Sequence, residues 1–139
     1  MICGEILDVY VYQFSETAKK QNKIRFLDLR DQCLIEILPE VFQLTNLKKL
    51  SLSYSQIEVI PPKIGNIKTL TRLELGRNHL VTVPSEIGQL TNLIGFNLAF
   101  NQIRSLPNEL FQLINLEVLN LEFNLIRFLS NGISQLSKP

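Results

Sequence analysis

The side chains best suited to chemistry in this sequence are its one histidine, His79, and its two cysteines, Cys3 and Cys33. His79 could act as a general base, with Glu74 or Glu58 as the group that orients it. However, no nucleophile falls at a fixed place beside it, so we interpret His79 as an exposed turn residue. The sequence therefore predicts no catalytic residue.

The two cysteines indicate neither a metal centre nor a disulfide scaffold. Cys3 and Cys33 are not spaced as zinc ligands are, and two cysteines are too few for a disulfide-rich protein. A single bridge between them is an option that spacing alone does not favour. Cys33 could be a redox-active or nucleophilic thiol, but no base falls beside it, so we interpret it as a small surface residue. We expect no metal and no cofactor.

Other signals of enzymatic, nucleic-acid or membrane function are weak. The motifs GxxxxGK[ST], GxGxxG, GxSxG and HExxH do not occur. The 14 Lys and Arg nearly balance the 13 Asp and Glu, which argues against a basic nucleic-acid face or a polybasic membrane patch. Polar residues interrupt every apolar run before the roughly 20 residues that a span needs, and no signal peptide is visible. We expect a soluble protein of unknown compartment, either cytoplasmic or exported by a non-classical route.

The chain repeats itself with a period of 23 residues, and a period of this kind decides the fold before any local signal does. The five units are 24–46, 47–69, 70–92, 93–115 and 116–138. Positions 1, 4, 6, 11, 14, 18 and 21 of every unit are Leu, Ile, Val or Phe. Because one unit cannot bury seven apolar side chains alone, neighbouring units must stack into a continuous core.

Two of the units, LTRLELGRNHLVTVPSEIGQLTN and LIGFNLAFNQIRSLPNELFQLIN, fit the pattern LxxLxLxxNxLxxLPxxIxxLxx. This pattern resembles the 23-residue typical class of leucine-rich repeats. Val83-Pro84 and Leu106-Pro107, each followed by an aliphatic residue, are most similar to the bacterial and Ras-group types. The resemblance covers residues 24–138 and implies an α/β fold. That fold would be a right-handed solenoid with a parallel concave sheet and short turns or 3₁₀ segments on the convex face.

The outward positions of the predicted strands, numbers 3, 5, 7 and 8 of each unit, form the concave surface. Successive strands lie roughly 4.8 Å apart, so residues at one position form a column of neighbours. The column at position 8 contains Tyr54, Arg77, Phe100 and Phe123. The small residues Gly76, Gly95 and Ala99 would leave a shallow apolar trough beside it. Aromatic and Arg residues are enriched at binding hot spots, so we predict anchors for a partner. The alternative is that Phe100 and Phe123 cover neighbouring aliphatic side chains.

Charged residues also lie on this face. Lys49, Arg72 and Arg77 form a cationic cluster, with the acids Glu74, Asp28 and Asp31 nearby. Such a mixture is typical of a solvated face whose charges pair with one another. We predict that Arg72, Glu74 and Asn97 set the orientation of the partner. Phe42 and Phe111, at position 19, are predicted to cover the convex side of the core.

Position 9 is Asn in the last three units: Asn78, Asn101 and Asn124. An inward Asn at this corner can donate to and accept from backbone groups of adjacent units, which would otherwise be buried without partners. Units one and two have Gln32 and Ser55 there. Because Ser is too short to span the same gap, we expect the ladder to weaken toward the N-terminus.

The two ends depart from the repeat. Residues 1–23 fit it poorly, and we predict an N-terminal cap with a strand around Leu7-Val9-Val11 and a short helix over 16–20; a degenerate sixth repeat is the alternative. The last unit carries no recognisable cap, and Leu125 and Phe128 add apolar residues at positions that are usually polar. An exposed strand edge either frays or pairs with another chain. A homodimer through this repeat is therefore one of two expectations.

The function that these observations favour is a non-enzymatic protein–protein interaction module that binds a protein or peptide on its concave sheet. Two alternatives stay open. One is a self-associating scaffold that uses the C-terminal repeat, and the other is the recognition part of a larger effector or enzyme assembly. The identity of the partner does not follow from the fold.

Overall fold

A computed structural model describes residues 23–129 of the chain. The predicted N-terminal cap, Cys3 and the final residues of the last unit lie outside the described part. Within it, five short strands alternate with four 3₁₀ helices. The strands are β1 (Phe26–Asp28), β2 (Lys49–Ser51), β3 (Arg72–Glu74), β4 (Gly95–Asn97) and β5 (Val118–Asn120). The 3₁₀ helices are η1 (Pro39–Gln43), η2 (Pro62–Asn66), η3 (Ser85–Gln89) and η4 (Asn108–Gln112).

The strands form one parallel sheet in chain order, β1 to β5. Each residue pairs with the residue 23 positions later, as in Leu50 with Leu73 and Leu73 with Phe96. Every strand occupies positions 3–5 of its unit, and its central residue points into the core between two outward neighbours, as the alternation of a strand requires. The arrangement is the solenoid that the repeat predicts.

The 3₁₀ helices form the opposite wall. Proline stands at or just before the first helical residue in all four, where its fixed φ suits the entry and its missing N–H costs nothing. Each helix ends in a tight turn, as where Leu44 N donates to Val41 O over 3.1 Å. These turns aim positions 18 and 21 inward from a backbone that is too short for an α-helix.

The repeated apolar positions fill a single core that runs along the array. Thirteen of the fourteen such side chains in units two and three are at most 2 % exposed, and the other, Val83, is 7 % exposed. Phe42 and Phe111 are buried on the convex side, where the sequence places them. Burial falls in unit five, where Leu119, Leu121 and Ile126 are only partly covered. Residues 23–129 contain no helix that is long and apolar enough to cross a bilayer.

Three asparagines link consecutive units through the core edge. The Asn101 carboxamide accepts from Leu80 N at 3.0 Å and donates to Leu75 O and Leu98 O, each also at 3.0 Å. Asn78 and Asn124 repeat this pattern 23 residues before and after it. Each side chain therefore connects the backbone of its own unit to that of the unit before.

The row of asparagines does not extend into the first two units. Ser55 is buried, and within residues 23–129 its hydroxyl oxygen has no hydrogen-bond partner. Gln32 donates only within its own turn, to Arg30 O at 3.1 Å. The junction between units one and two consequently lacks the asparagine bridge at position 9 that the later junctions have.

A second polar row, at position 23, joins the units on the side where each strand begins. Asn92 and Asn115 donate to carbonyls of the preceding unit, Lys68 O and Thr91 O, both at 2.8 Å. Thr69 does the same with its hydroxyl, which lies 2.9 Å from Thr45 O of unit one. The repeat pattern does not reveal this row, because two residue types, Asn and Thr, share one role.

Candidate functional site

The candidate site is the column at position 8, one turn beyond the end of each strand. Its members Tyr54, Arg77, Phe100 and Phe123 follow β2, β3, β4 and β5. All four have left-handed backbone conformation, with φ between 55° and 59°. Asp31, at the same place after β1, shares it with φ 63°. The conformation is thus a property of the repeat, because it turns the chain out of the sheet at this point.

Within the column, the four side chains stack on one another. The Phe100 and Phe123 rings lie with centroids 4.4 Å apart and planes 11° from parallel. The Arg77 guanidinium carbon lies over the Phe100 ring, 4.0 Å from its centroid, and over the Tyr54 ring at 5.4 Å. A cation between two aromatic faces is attracted to both. The four residues therefore form one continuous stack across units two to five.

This stack lies on the surface and not in the core. Tyr54 is 56 % exposed, Phe123 70 % and Phe100 38 %. The small residues Gly76 and Ala99, which precede Arg77 and Phe100 in the chain, are buried.

The residue types in the column are not those that its backbone favours. A left-handed residue other than Gly costs roughly 1–2 kcal/mol, and only Asn and Asp share Gly's tolerance of it. Tyr54, Arg77, Phe100 and Phe123 are all bulky. Strained backbone of this kind is concentrated at functional sites. No sequence signal could have revealed this backbone conformation, because none of the four is a residue type that marks a left-handed turn.

The cations of the concave face are not paired as the sequence suggested. Among residues 23–129, the ion pair within 4.0 Å is Asp28–Arg30, at 2.7 Å. Within this pair, a side-chain hydrogen bond from the Arg30 guanidinium holds the pKa of Asp28 below its usual range, Lys49 lowers it further, and the Asp28 carboxylate raises the pKa of Arg30. Lys49, Arg72 and Arg77 are exposed and make no side-chain hydrogen bond or ion pair within the described part of the chain. The predicted mutual pairing of this cluster is therefore not seen there.

The three residues predicted to orient a partner differ in their surroundings. Arg72 lies against Gly95, with its Nη1 3.7 Å from the place of a Cβ on that glycine. Glu74 is half-buried at the end of β3. Asn97 accepts from Ala99 N at 3.0 Å through Oδ1. Its carboxamide packs against Gly76, so part of its hydrogen-bonding capacity is already used by the fold.

His79 and Cys33 lie on the rim beyond the column, and both are exposed. The structure gives His79 one backbone role, donation from its N to Ile57 O at 2.9 Å. In residues 23–129 no three His, Cys, Asp or Glu side chains are grouped closely enough to hold a metal ion.

Comparison with known proteins agrees with this architecture. The sequence matches the profile of a leucine-rich repeat region over residues 15–138. No curated protein matches the chain by sequence.

Several solved structures share the fold. A leucine-rich repeat protein of Leptospira interrogans is 33 % identical, with a TM-score of 0.68 over 87 % of this chain and 37 % of that one. Internalin C2 of Listeria monocytogenes is 25 % identical, with a TM-score of 0.76 over 88 % of this chain and 52 % of that one. The leucine-rich repeat domain of the type III effector XopL is 25 % identical, with a TM-score of 0.78 over 92 % of this chain and 46 % of that one. The predicted solenoid is thereby confirmed, and the chain spans at most about half of each of these three structures.

Proposed function

Because the chain belongs to the leucine-rich repeat family, we propose that it is a non-enzymatic interaction module that binds a protein or peptide on its concave sheet. Repeat domains of this family generally mediate protein–protein interactions. The anchors are Tyr54, Arg77, Phe100 and Phe123, and Arg72, Glu74 and Asn97 orient the partner. A rigid curved sheet suits this role because it presents its contacts without reorganising.

One observation carries the proposal: a row of bulky side chains is both exposed and held in a backbone conformation that disfavours them. A purely structural position of this kind would be filled at lower cost by Gly or Asn. The aromatic and Arg side chains that stand there instead are the types most often found at interaction hot spots.

The test is to select ligands for the whole chain from a random 12-residue peptide library and to map where they bind. The variant Tyr54→Ala/Phe100→Ala should weaken the selected peptides at least tenfold, because it removes two anchors. The control Ile35→Ala/Ile114→Ala truncates two apolar side chains that are more exposed than Tyr54 and Phe100, each at least 70 %, but lie outside the column. Selected peptides that bind the Tyr54/Phe100 variant as tightly as the original chain would contradict the concave site.

A second candidate function, self-association, is favoured by a separate observation at the C-terminal end of the described chain. Leu125, Phe128 and Leu129 are exposed, with Phe128 at 86 %, and they follow β5, the last strand in the described part of the chain. Apolar residues beside an open edge invite pairing with a second copy. Light scattering over a hundredfold concentration range decides this candidate. A constant monomer mass would exclude self-association. A dimer that dissociates in the Phe128→Lys variant would support it.

The third candidate is a recognition segment within a larger effector or enzyme assembly. Its support is the similarity to the repeat domain of a type III effector, of which this chain spans 46 %. Incubation of the purified chain with candidate substrates should give no turnover under this proposal, since recognition and chemistry would lie in different parts of the assembly.

A further inference from the structure

The stack contains a cation whose hydrogen-bonding groups are unused. Arg77 is exposed, and within residues 23–129 its side chain neither donates a hydrogen bond nor forms an ion pair. Its guanidinium lies over Phe100 at 4.0 Å and over Tyr54 at 5.4 Å. Contacts with rings occupy the faces of a guanidinium, whereas its N–H donors lie in its plane. The rings therefore hold Arg77 in place and leave its donors available to a ligand.

We propose that Arg77 is a preorganised receptor for an Asp or Glu carboxylate of the partner, set between aromatic surfaces that contact apolar side chains on either side of that acid. A planar guanidinium binds a carboxylate through two parallel hydrogen bonds. Because the neighbouring rings already restrict the side chain, binding loses less rotamer entropy than it would with a free Arg. The partner segment is thus an acidic residue flanked by aromatic or aliphatic ones. This inference rests on the proposed function of the concave face.

Charge complementarity supports an acidic partner over a neutral one. In units two to five, which carry the stack, the outward positions of the sheet hold three cations, Lys49, Arg72 and Arg77, against two acids, Glu74 and Glu122. Within the described residues none of the three cations forms an ion pair within 4.0 Å, although the charge of Lys49 acts on Asp28. The first unit differs, since there Asp28 and Arg30 neutralise each other. The excess positive charge is therefore centred on units two and three, where Tyr54 and Arg77 of the stack lie.

The spacing of the cations favours carboxylates over a phosphate group. Lys49 and Arg72, both at position 3, are register partners in neighbouring strands, whereas Arg77 stands at position 8, five residues further along, which is roughly 17 Å for an extended chain. A phosphate is bound tightly where several donors converge on it, and Arg77 stands apart from the Lys49–Arg72 pair along the chain. Separate acids along one extended segment match them better, with a second acid about five residues from the first.

The experiment uses the selected peptides as probes and measures their affinity for the whole chain by fluorescence polarisation. We expect enriched peptides to contain Asp or Glu next to aromatic or branched aliphatic residues. Changing that acid to its amide should weaken binding at least tenfold, and Arg77→Gln should do the same. Combined, the two changes should cost little more than either alone, because both remove one interaction. Arg77→Lys keeps the charge but not the planar donor pair, so it should still lose about fivefold.

The control variant Lys68→Gln removes an exposed charge outside the concave column and should change affinity less than twofold. Enrichment of neutral peptides, no enrichment at all, or additive losses for the acid and Arg77 would each overturn the inference. A 12-nucleotide oligothymidine that binds as tightly as the peptides would overturn it too, by showing that any polyanion suffices. Failure of the underlying function looks different: there, Tyr54→Ala/Phe100→Ala would leave peptide binding intact.

Discussion

At the scale of single residues, Asn101 makes the strongest prediction about stability. Its carboxamide satisfies Leu80 N, Leu75 O and Leu98 O in a buried position. Asn101→Leu should lower the free energy of unfolding by about 1–3 kcal/mol, because Leu80 N loses its partner away from water, while Leu75 O and Leu98 O keep only the bonds from Asn78 and Asn124. Urea unfolding measures the change, and an unchanged midpoint would mean that the asparagine row contributes nothing.

The complementary change at the same position of unit two should have the opposite sign. Ser55 is buried and its hydroxyl oxygen is unpaired within residues 23–129. Asn at this place could reach the equivalents of the groups that Asn78 contacts, so Ser55→Asn should stabilise by roughly 1 kcal/mol. Ser55→Ala is the control, since it removes the hydroxyl without adding a bridge. A Ser55→Asn protein less stable than Ser55→Ala would contradict the expectation.

The left-handed column makes a prediction whose sign differs from the usual one. In ordinary helices and strands Gly is less stable than Ala by about 0.5–1 kcal/mol. Tyr54 has φ 59°, where an L-residue is strained and Gly is not. Tyr54→Gly should therefore unfold at higher denaturant than Tyr54→Ala, although both lack the ring and its contact with Arg77. Equal midpoints, or a more stable Ala variant, would show that the backbone strain is absent in solution.

At the scale of elements, the packing of the convex 3₁₀ helices depends on two glycines at position 19. A Cβ on Gly88 would lie 2.8 Å from Glu109 Cβ and 2.9 Å from Glu109 O. Gly88→Ala should separate η3 from η4 and cost about 1–3 kcal/mol, as overpacking does. Gly95→Ala is the matched control on the sheet, because its Cβ would meet Arg72 Cγ at 3.6 Å, an ordinary contact. Equal melting temperatures for the two variants would mean that close approach of the helices does not restrict which residue position 19 can hold.

The placement of these elements follows from the sequence, since period and apolar positions fix the strands. Leu50 and Leu73 pair because both are position 4 of their units, and Phe111 is buried because it stands next to an inward position. The pairing of charged side chains could not be predicted from the sequence in the same way. Whether Arg72 meets Glu74 or lies on Gly95 depends on rotamers, which a period does not encode. The left-handed turn at Phe100 could not be predicted for a related reason, because tertiary packing there overrides the backbone preference of the residue.

At the scale of the whole molecule, stability should vary along the array. In a solenoid each unit contacts only its neighbours, so the local free energy of opening reflects the quality of each junction. Asn78 and Asn101 bridge the junctions on either side of unit three. The junction between units one and two has only Ser55 at that position, and the core of unit five is partly exposed.

Native-state hydrogen exchange can measure this gradient directly. Leu29, Leu75 and Leu98 donate equivalent backbone hydrogen bonds between adjacent strands, to Ser51 O, Asn97 O and Asn120 O. Because the three bonds are alike, differences in protection report on the junctions around them. We expect Leu75 N to exchange most slowly and Leu29 N at least tenfold faster. Ser55→Asn should slow Leu29 more than Leu75, since it repairs the first junction alone. Equal protection at all three amides would instead mean that the array opens as one cooperative unit, in which no junction is weak enough to open by itself.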